Sequence, residues 1–168
     1  HILRRLAQED PRIRILSLSR NFGHQAALTA GLDHAEGEIV ISLDADGQHP
    51  PELIPEMIAL IRQGYDIVQT QRVDVEQPLS FKRWSSALFY RLINVLSGTP
   101  ILPGAADFRA LSRQAVEALK SMPEYHRFLR GMVAWIGYRT VILPYCPQER
   151  MAGRSKYSLR KMLRLALD

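Results

Sequence analysis

An α/β fold is predicted for this 168-residue chain: a three-layer α/β/α sandwich around a mostly parallel sheet. Three observations predict it. Strand-like and helix-like segments alternate along most of the chain, which is the pattern of such sheets. The run Ile39 to Leu43 is short, apolar and β-branched, and polar turn residues follow it at once, as in a buried parallel strand. Hydrophobic content of 46% and charged content of 23% are those of an ordinary globular protein, and the length suits one domain with a real core.

In chain order, His1 to Gln8 reads as a helix and Arg12 to Ser19 as a strand. Arg20-Asn21-Phe22-Gly23 is a turn, and His24 to Ala35 is an Ala-rich helix stopping near Gly37. After the Ile39 strand, Pro50 and Pro51 end the extended chain and open a helix from Pro51 to Gln63, closed by Gly64. Pro55 falls in or near its first turn, where a missing N–H costs least. Tyr65 to Thr70 is the next strand, with Arg72 at its carboxyl end. Val73 to Ser80 is a loop. In Ser80 to Ser97, Phe81, Trp84, Leu88, Leu92 and Val95 recur at intervals of three or four, which is the core face of a long helix.

Leu102 to Ala105 is a loop, and Ala105 to Ala110 is a short strand carrying Asp107 and Arg109. Ser112 opens a helix to Lys120. Tyr125 to Trp135 is another, bearing Arg127 and Arg130, and Tyr138 to Leu143 is the last strand. Arg150 to Tyr157 is basic, hydroxyl-bearing and contains Gly153, a composition able to fold over a phosphate. In Ser158 to Asp168 and just before it, Lys156, Arg160, Lys161 and Arg164 share an arc of about 140°, opposite Leu159, Met162, Leu163 and Ala166. Such a helix lies in a membrane interface or docks on the core. The domain is therefore read as residues 1–157, followed by an amphipathic juxtamembrane helix at 158–168.

The net charge of +5 fits an anionic partner: nucleic acid, anionic lipid or a phosphorylated substrate. No nucleic-acid module signature is present. No run of about 20 apolar residues exists to span a bilayer, and no signal peptide is visible. The single Cys146 excludes an internal disulfide. Nothing in the chain decides the oligomeric state, so a homo-oligomer stays open.

Chemistry concentrates at Asp44-Ala-Asp46-Gly-Gln48. In open α/β sheets ligands bind beyond the carboxyl ends of strands, and this stretch follows one. A plain reading is a turn in which Asp44 or Asp46 caps a helix. An EF-hand loop counted from Asp44 would need glycine and glutamate where His49 and Pro55 stand, so it fails. A phosphatase with an aspartate nucleophile would need further lysine and acidic motifs that cannot be placed here. There remains a divalent ion, Mg2+ or Mn2+, held by Asp44, Asp46 and Gln48 and bridging a diphosphate.

Leu43 to Glu52 resembles the metal-binding segment of family-2 glycosyltransferases, in particular the branch that moves a sugar onto a polyprenyl phosphate. That branch includes dolichol-phosphate mannose synthases and bactoprenol glucosyltransferases. Ser19-Arg-Asn-Phe-Gly-His24, Asp107-Phe-Arg109, Arg127-Phe-Leu-Arg-Gly131 and Arg150-Met-Ala-Gly-Arg-Ser-Lys-Tyr157 resemble the same branch, in the same order. The resemblance covers nearly the whole chain. It implies the nucleotide-sugar transferase fold called GT-A, here without its first strand and without the acidic strand-end loop that holds the nucleotide base. It further implies inverting transfer of a hexose from a UDP- or GDP-sugar to undecaprenyl or dolichyl phosphate, at the cytoplasmic face of a membrane with an anionic surface. Asp46 and Asp107 are then the catalytic candidates. Arg20 would lie near the donor. Arg72, Arg83, Arg150 and Lys156 would hold the acceptor phosphate, with Asp44, Arg109, Arg154, Ser155 and Tyr157 also in the substrate site. A glycan-elongating enzyme acting on a sugar hydroxyl, or a binding module without catalysis, are the alternatives.

Overall fold

The computed structural model describes residues 2–73, 102, 104–124 and 127–148. The expected helix at 80–97, Arg83, the basic loop 150–157 and the segment 158–168 lie outside the described residues.

Helices α1 (Ile2–Glu9), α2 (His24–Asp33) and α3 (Ile54–Arg62) precede α4 (Arg113–Ser121) and α5 (Leu129–Trp135). The strands are β1 (Ile39–Ser42), β2 (Ile67–Arg72), β3 (Ala105–Ser112) and β4 (Thr140–Tyr145), in the sheet order β1-β3-β2-β4. β3 pairs antiparallel with both β1 and β2, while β2 and β4 pair in parallel. Three of the four strands therefore run in one direction, and β3 is inserted between two of them in reverse. The carboxyl ends of β1, β2 and β4 consequently meet the amino end of β3 at one sheet edge.

Both faces are covered. On one, Leu32 of α2, Ala115, Val116 and Leu119 of α4 and Leu129, Met132 and Val133 of α5 pack on Ile67 and Leu111. On the other, Met57 of α3 packs with Val68, Ala106, Phe108, Ala110 and Tyr145. This is the expected three-layer α/β/α arrangement. β3 is buried along its length except at its two ends, and β4 alternates exposed and covered residues as an edge strand does.

Local signals placed most elements to within a few residues. Pro51–Leu53 forms a single 3-10 turn, and Pro55 stands in the first turn of α3, which ends before Gly64 at φ 96°. Ser112 is the N-cap of α4: its hydroxyl accepts from the Ala115 N–H at 3.2 Å and donates to Asp66 Oδ1 at 3.0 Å. Ser112→Ala is expected to lower unfolding stability by about 1 kcal/mol. Denaturant unfolding checks this, and a midpoint equal to wild type would show that neither bond matters.

Four expectations need correction. Residues 13–18 form no strand, and Ile13, Ile15, Leu16 and Leu18 are 36–47% exposed. A strand is held by a ladder partner, and among the described residues nothing pairs with this segment. β1 is half-buried rather than fully buried, because among the described strands it pairs only with β3. α2 ends at Asp33, where His34 caps it, before Gly37. Residues 127 and 128 are not helical, so α5 begins only at Leu129; the Arg127 side chain is drawn back to Asp33 Oδ1 at 3.0 Å and to the Met122 carbonyl.

Candidate active site

β1 ends at Ser42 and delivers Asp44, Asp46 and Gln48 to the edge where the carboxyl ends gather. The loop is folded by its own residues. Asp46 Oδ1 accepts from the Gln48 N–H at 3.1 Å, an Asx turn, and Gly47 between them has φ 78°. The Asp44 N–H donates to His49 Nδ1 at 3.2 Å. His49 itself is buried, stacks on Phe108 at 5.2 Å and meets the edge of Tyr145 at 5.9 Å. Burial pushes its pKa down, which favours the neutral ring whose Nδ1 accepts this bond. The Gln148 N–H, just past β4, closes the loop onto the Gln48 carbonyl at 3.1 Å. An open cleft of about 540 Å³ lies here, lined by Asp44, Asp46, His49, Glu52 and Gln148 among others.

Arg72 is the last residue of β2, and its Nη2 donates to Gln48 Oε1 at 3.0 Å. One of the expected phosphate-binding arginines thus touches one of the expected metal ligands.

Asp107 arrives from the reversed strand. Ser42 stands opposite Arg109 in the β1–β3 register, which carries position 107 to the level of position 44. The Ser42 hydroxyl ties the strands here by donating to the Asp107 carbonyl. The Asp107 side chain is 4% exposed. It accepts from Arg109 Nη2 at 2.6 Å and from Arg130 Nε and Nη2 at 3.1 and 2.9 Å. Burial alone would raise its pKa; the Arg130 bonds, with the charges of Arg130, Arg109 and His24, outweigh that and hold it below the usual carboxylate range. Arg109 is 2% exposed, and burial pushes its guanidinium down to about 10. Its Nε and Nη1 have no hydrogen-bond partner among the described residues.

Two residues of this cluster were not singled out from sequence as site residues. One is Arg130, which brings α5 onto Asp107. The other is His24, the first residue of α2, whose Nε2 lies 3.0 Å from Asp44 Oδ1 and whose Nδ1 lies 3.7 Å from Asp107 Oδ2. Its position as the last residue of the Ser19–His24 motif was the available signal. Arg20, four residues before His24, is exposed, and its guanidinium rests over the Phe22 ring at 4.7 Å. Among the described residues, then, Asp44, Asp46, Gln48, Arg72, Asp107 and Arg109 converge on one edge. Arg83, Arg150, Arg154, Ser155, Lys156 and Tyr157 lie outside the described residues.

The profile of the family described as "Glycosyl transferase family 2" matches residues 1–120. The chain is 42% identical over 167 residues to an uncharacterized glycosyltransferase, YkcC, of Bacillus subtilis, covering 99% of this chain and 52% of that protein. It is 41% identical over 167 residues to a prophage bactoprenol glucosyl transferase homolog of Escherichia coli, covering 99% of this chain and 55% of that protein. The bactoprenol glucosyl transferase of Shigella phage SfV is likewise 41% identical, with 99% of this chain and 54% of that protein covered. The chain spans about half the length of the curated relatives it matches.

Proposed function

Because the chain belongs to glycosyltransferase family 2, we propose that its strand-end cluster transfers a hexose, with inversion, from a nucleoside diphosphate sugar to a polyprenyl phosphate. The acceptor comes from the relatives named bactoprenol glucosyl transferase, bactoprenol being a polyprenol. The observation that carries the reading is the contact of Arg72 with Gln48 Oε1, beside Asp44 and Asp46. It supports a site where oxygen ligands for an ion and a guanidinium for a phosphate meet at one sheet edge.

The donor set fits a divalent ion. It is all hard oxygen: two carboxylates and an amide. Among the described residues no three His, Cys, Asp or Glu side chains form a metal cage. Mg2+ and Mn2+ take one or two carboxylates and complete their shell with water and substrate phosphates. When bound, the ion supplies Lewis-acid stabilisation of charge on the leaving diphosphate.

The chain's own residues do the rest. Arg72 grips an acceptor phosphate oxygen through its planar fork, placing that oxygen behind the anomeric carbon. The oxygen forms the new bond to that carbon as the bond to the diphosphate breaks, and the nucleoside diphosphate leaves with the electron pair. No proton has to be removed, since the acceptor phosphate is anionic near neutral pH. Asp107 favours this acceptor over a sugar hydroxyl. Its carboxylate is paired with two arginines and held at low pKa, which makes it a weak base. Its role here is to hold Arg130 and Arg109 in place.

Arg83, Arg150, Arg154, Ser155, Lys156 and Tyr157 remain assigned to the substrate site on sequence grounds. We place the reaction at the cytoplasmic face of the membrane that holds the lipid; no described helix is itself long and apolar enough to cross one. The test is mass spectrometry of products from a donor panel offered with polyprenyl phosphate or with a sugar acceptor. A hexosyl phosphoryl lipid is expected, and a product made only on the sugar hydroxyl would overturn the acceptor. Arg72→Ala should raise the acceptor KM roughly 10- to 150-fold, the equivalent of losing a charge-assisted hydrogen bond. Initial rates against acceptor concentration measure this; an unchanged KM would remove Arg72 from the phosphate site.

A further inference from the structure

We infer that His24 is a positioning residue that sets the orientation of the Asp44 carboxylate for the ion. The inference rests on the assignment of Asp44, Asp46 and Gln48 as ion ligands made above. Asp44 is held at two points by two histidines from different parts of the chain. His49 takes its backbone N–H at 3.2 Å, which fixes the main chain at this residue. His24 meets its side chain, with Nε2 3.0 Å from Oδ1. An ionised carboxylate can only accept, so the imidazole Nε2–H is the donor. With the backbone fixed, the remaining freedom is rotation of the side chain, and one anchored oxygen removes it. Oδ2 is then left for the ion.

The ring is itself held. His24 begins α2 after a turn in which the Gly23 N–H donates to Asn21 Oδ1 at 2.9 Å and Gly23 has φ 93°. Gln25 Nε2 lies 3.4 Å from His24 Nδ1, while Gln25 Oε1 accepts from the Leu129 N–H at the start of α5. The same ring nitrogen lies 3.7 Å from Asp107 Oδ2. The half-exposed imidazole therefore stands between the ligand carboxylate of Asp44, just past β1, and the arginine-bound carboxylate of Asp107 on β3. Residues that orient ligating carboxylates in this way typically change metal affinity 10- to 100-fold when removed.

The experiment compares two variants that separate the donor from the ring. His24→Phe keeps an aromatic ring and loses the N–H; His24→Gln loses the ring and keeps an amide N–H that reaches a similar distance. Mn2+ binding is read by electron paramagnetic resonance in the presence of UDP and, separately, GDP, with thermal unfolding as the folding control. The Phe variant is expected to bind Mn2+ roughly 10- to 100-fold more weakly at near wild-type Tm, and the Gln variant within a few-fold of wild type. Wild-type affinity in the Phe variant would overturn the inference. So would equal losses in both variants, since the ring rather than its donor would then matter. A wild-type protein that binds Mn2+ yet makes no lipid-linked sugar would sink the proposed transfer reaction and leave the role of His24 standing.

Discussion

Asp46→Asn should lower sugar transfer by roughly two to three orders of magnitude while the fold is kept. The size follows from the several kcal/mol that a bound ion contributes to charge stabilisation in the transition state. The fold should survive because of what Asp46 does locally. Its Oδ1 accepts from the Gln48 N–H at 3.1 Å, and an asparagine oxygen makes the same Asx turn. The substitution thus removes the charge and one ligand oxygen while keeping the loop. Product formation and calorimetric binding of nucleoside diphosphate, each with and without Mn2+, measure the two effects together with Tm. Full-rate transfer in the variant, or in wild type stripped of divalent ions, would refute the assignment.

Asp107→Asn should behave oppositely and cost stability. Its carboxylate is 4% exposed and receives both Arg109 and Arg130. Asparagine leaves the buried Arg109 guanidinium without its counter-charge, and breaking a buried pair in this way costs about 3–5 kcal/mol. For a domain of this size that is a drop in Tm of roughly 6–20 °C. Pairing the change with Arg109→Met should recover much of the loss, because the stranded charge is then gone as well. A Tm within a degree or two of wild type in the single variant would mean that the network is not stabilising. The pH dependence follows from the same contacts. The folded pKa of Asp107 lies below its ordinary value of 3.8, so the unfolded chain takes up the proton first on acidification. Its contribution is fully present above about pH 3.8 and is lost as pH falls further, through the folded pKa. Unfolding followed from pH 5 downward should show a shallower acid limb in Asp107→Asn.

These two carboxylates were equally visible in the sequence, yet their surroundings were not. Asp44 and Asp46 follow a β-branched run and precede two prolines, a local pattern that places them at a strand end. Pro51, Pro55, Gly64 and Ser112 carried similarly local information about helix starts and stops. Rules of this kind act over a few residues, through φ restrictions and nearby hydrogen bonds, so they are legible in the chain. The segment 12–19 has the composition of a strand and forms none, because strand formation depends on a ladder partner that composition does not name.

What the sequence by itself determined was therefore the succession of elements, the α/β class and the strand-end placement of Asp44, Asp46, Gln48 and Arg72. Only the tertiary structure decided that β3 runs in reverse between β1 and β2, and with it that Asp107 faces Asp44. It also decided that Arg72 reaches Gln48 across 24 residues, that Arg130 reaches Asp107 across 23, and that His24 stands between the two carboxylates. The reason is physical. Burial of Asp107 makes each neighbouring cation count for far more than it would in water, but burial and neighbours exist only once the sheet has closed and both of its faces are covered.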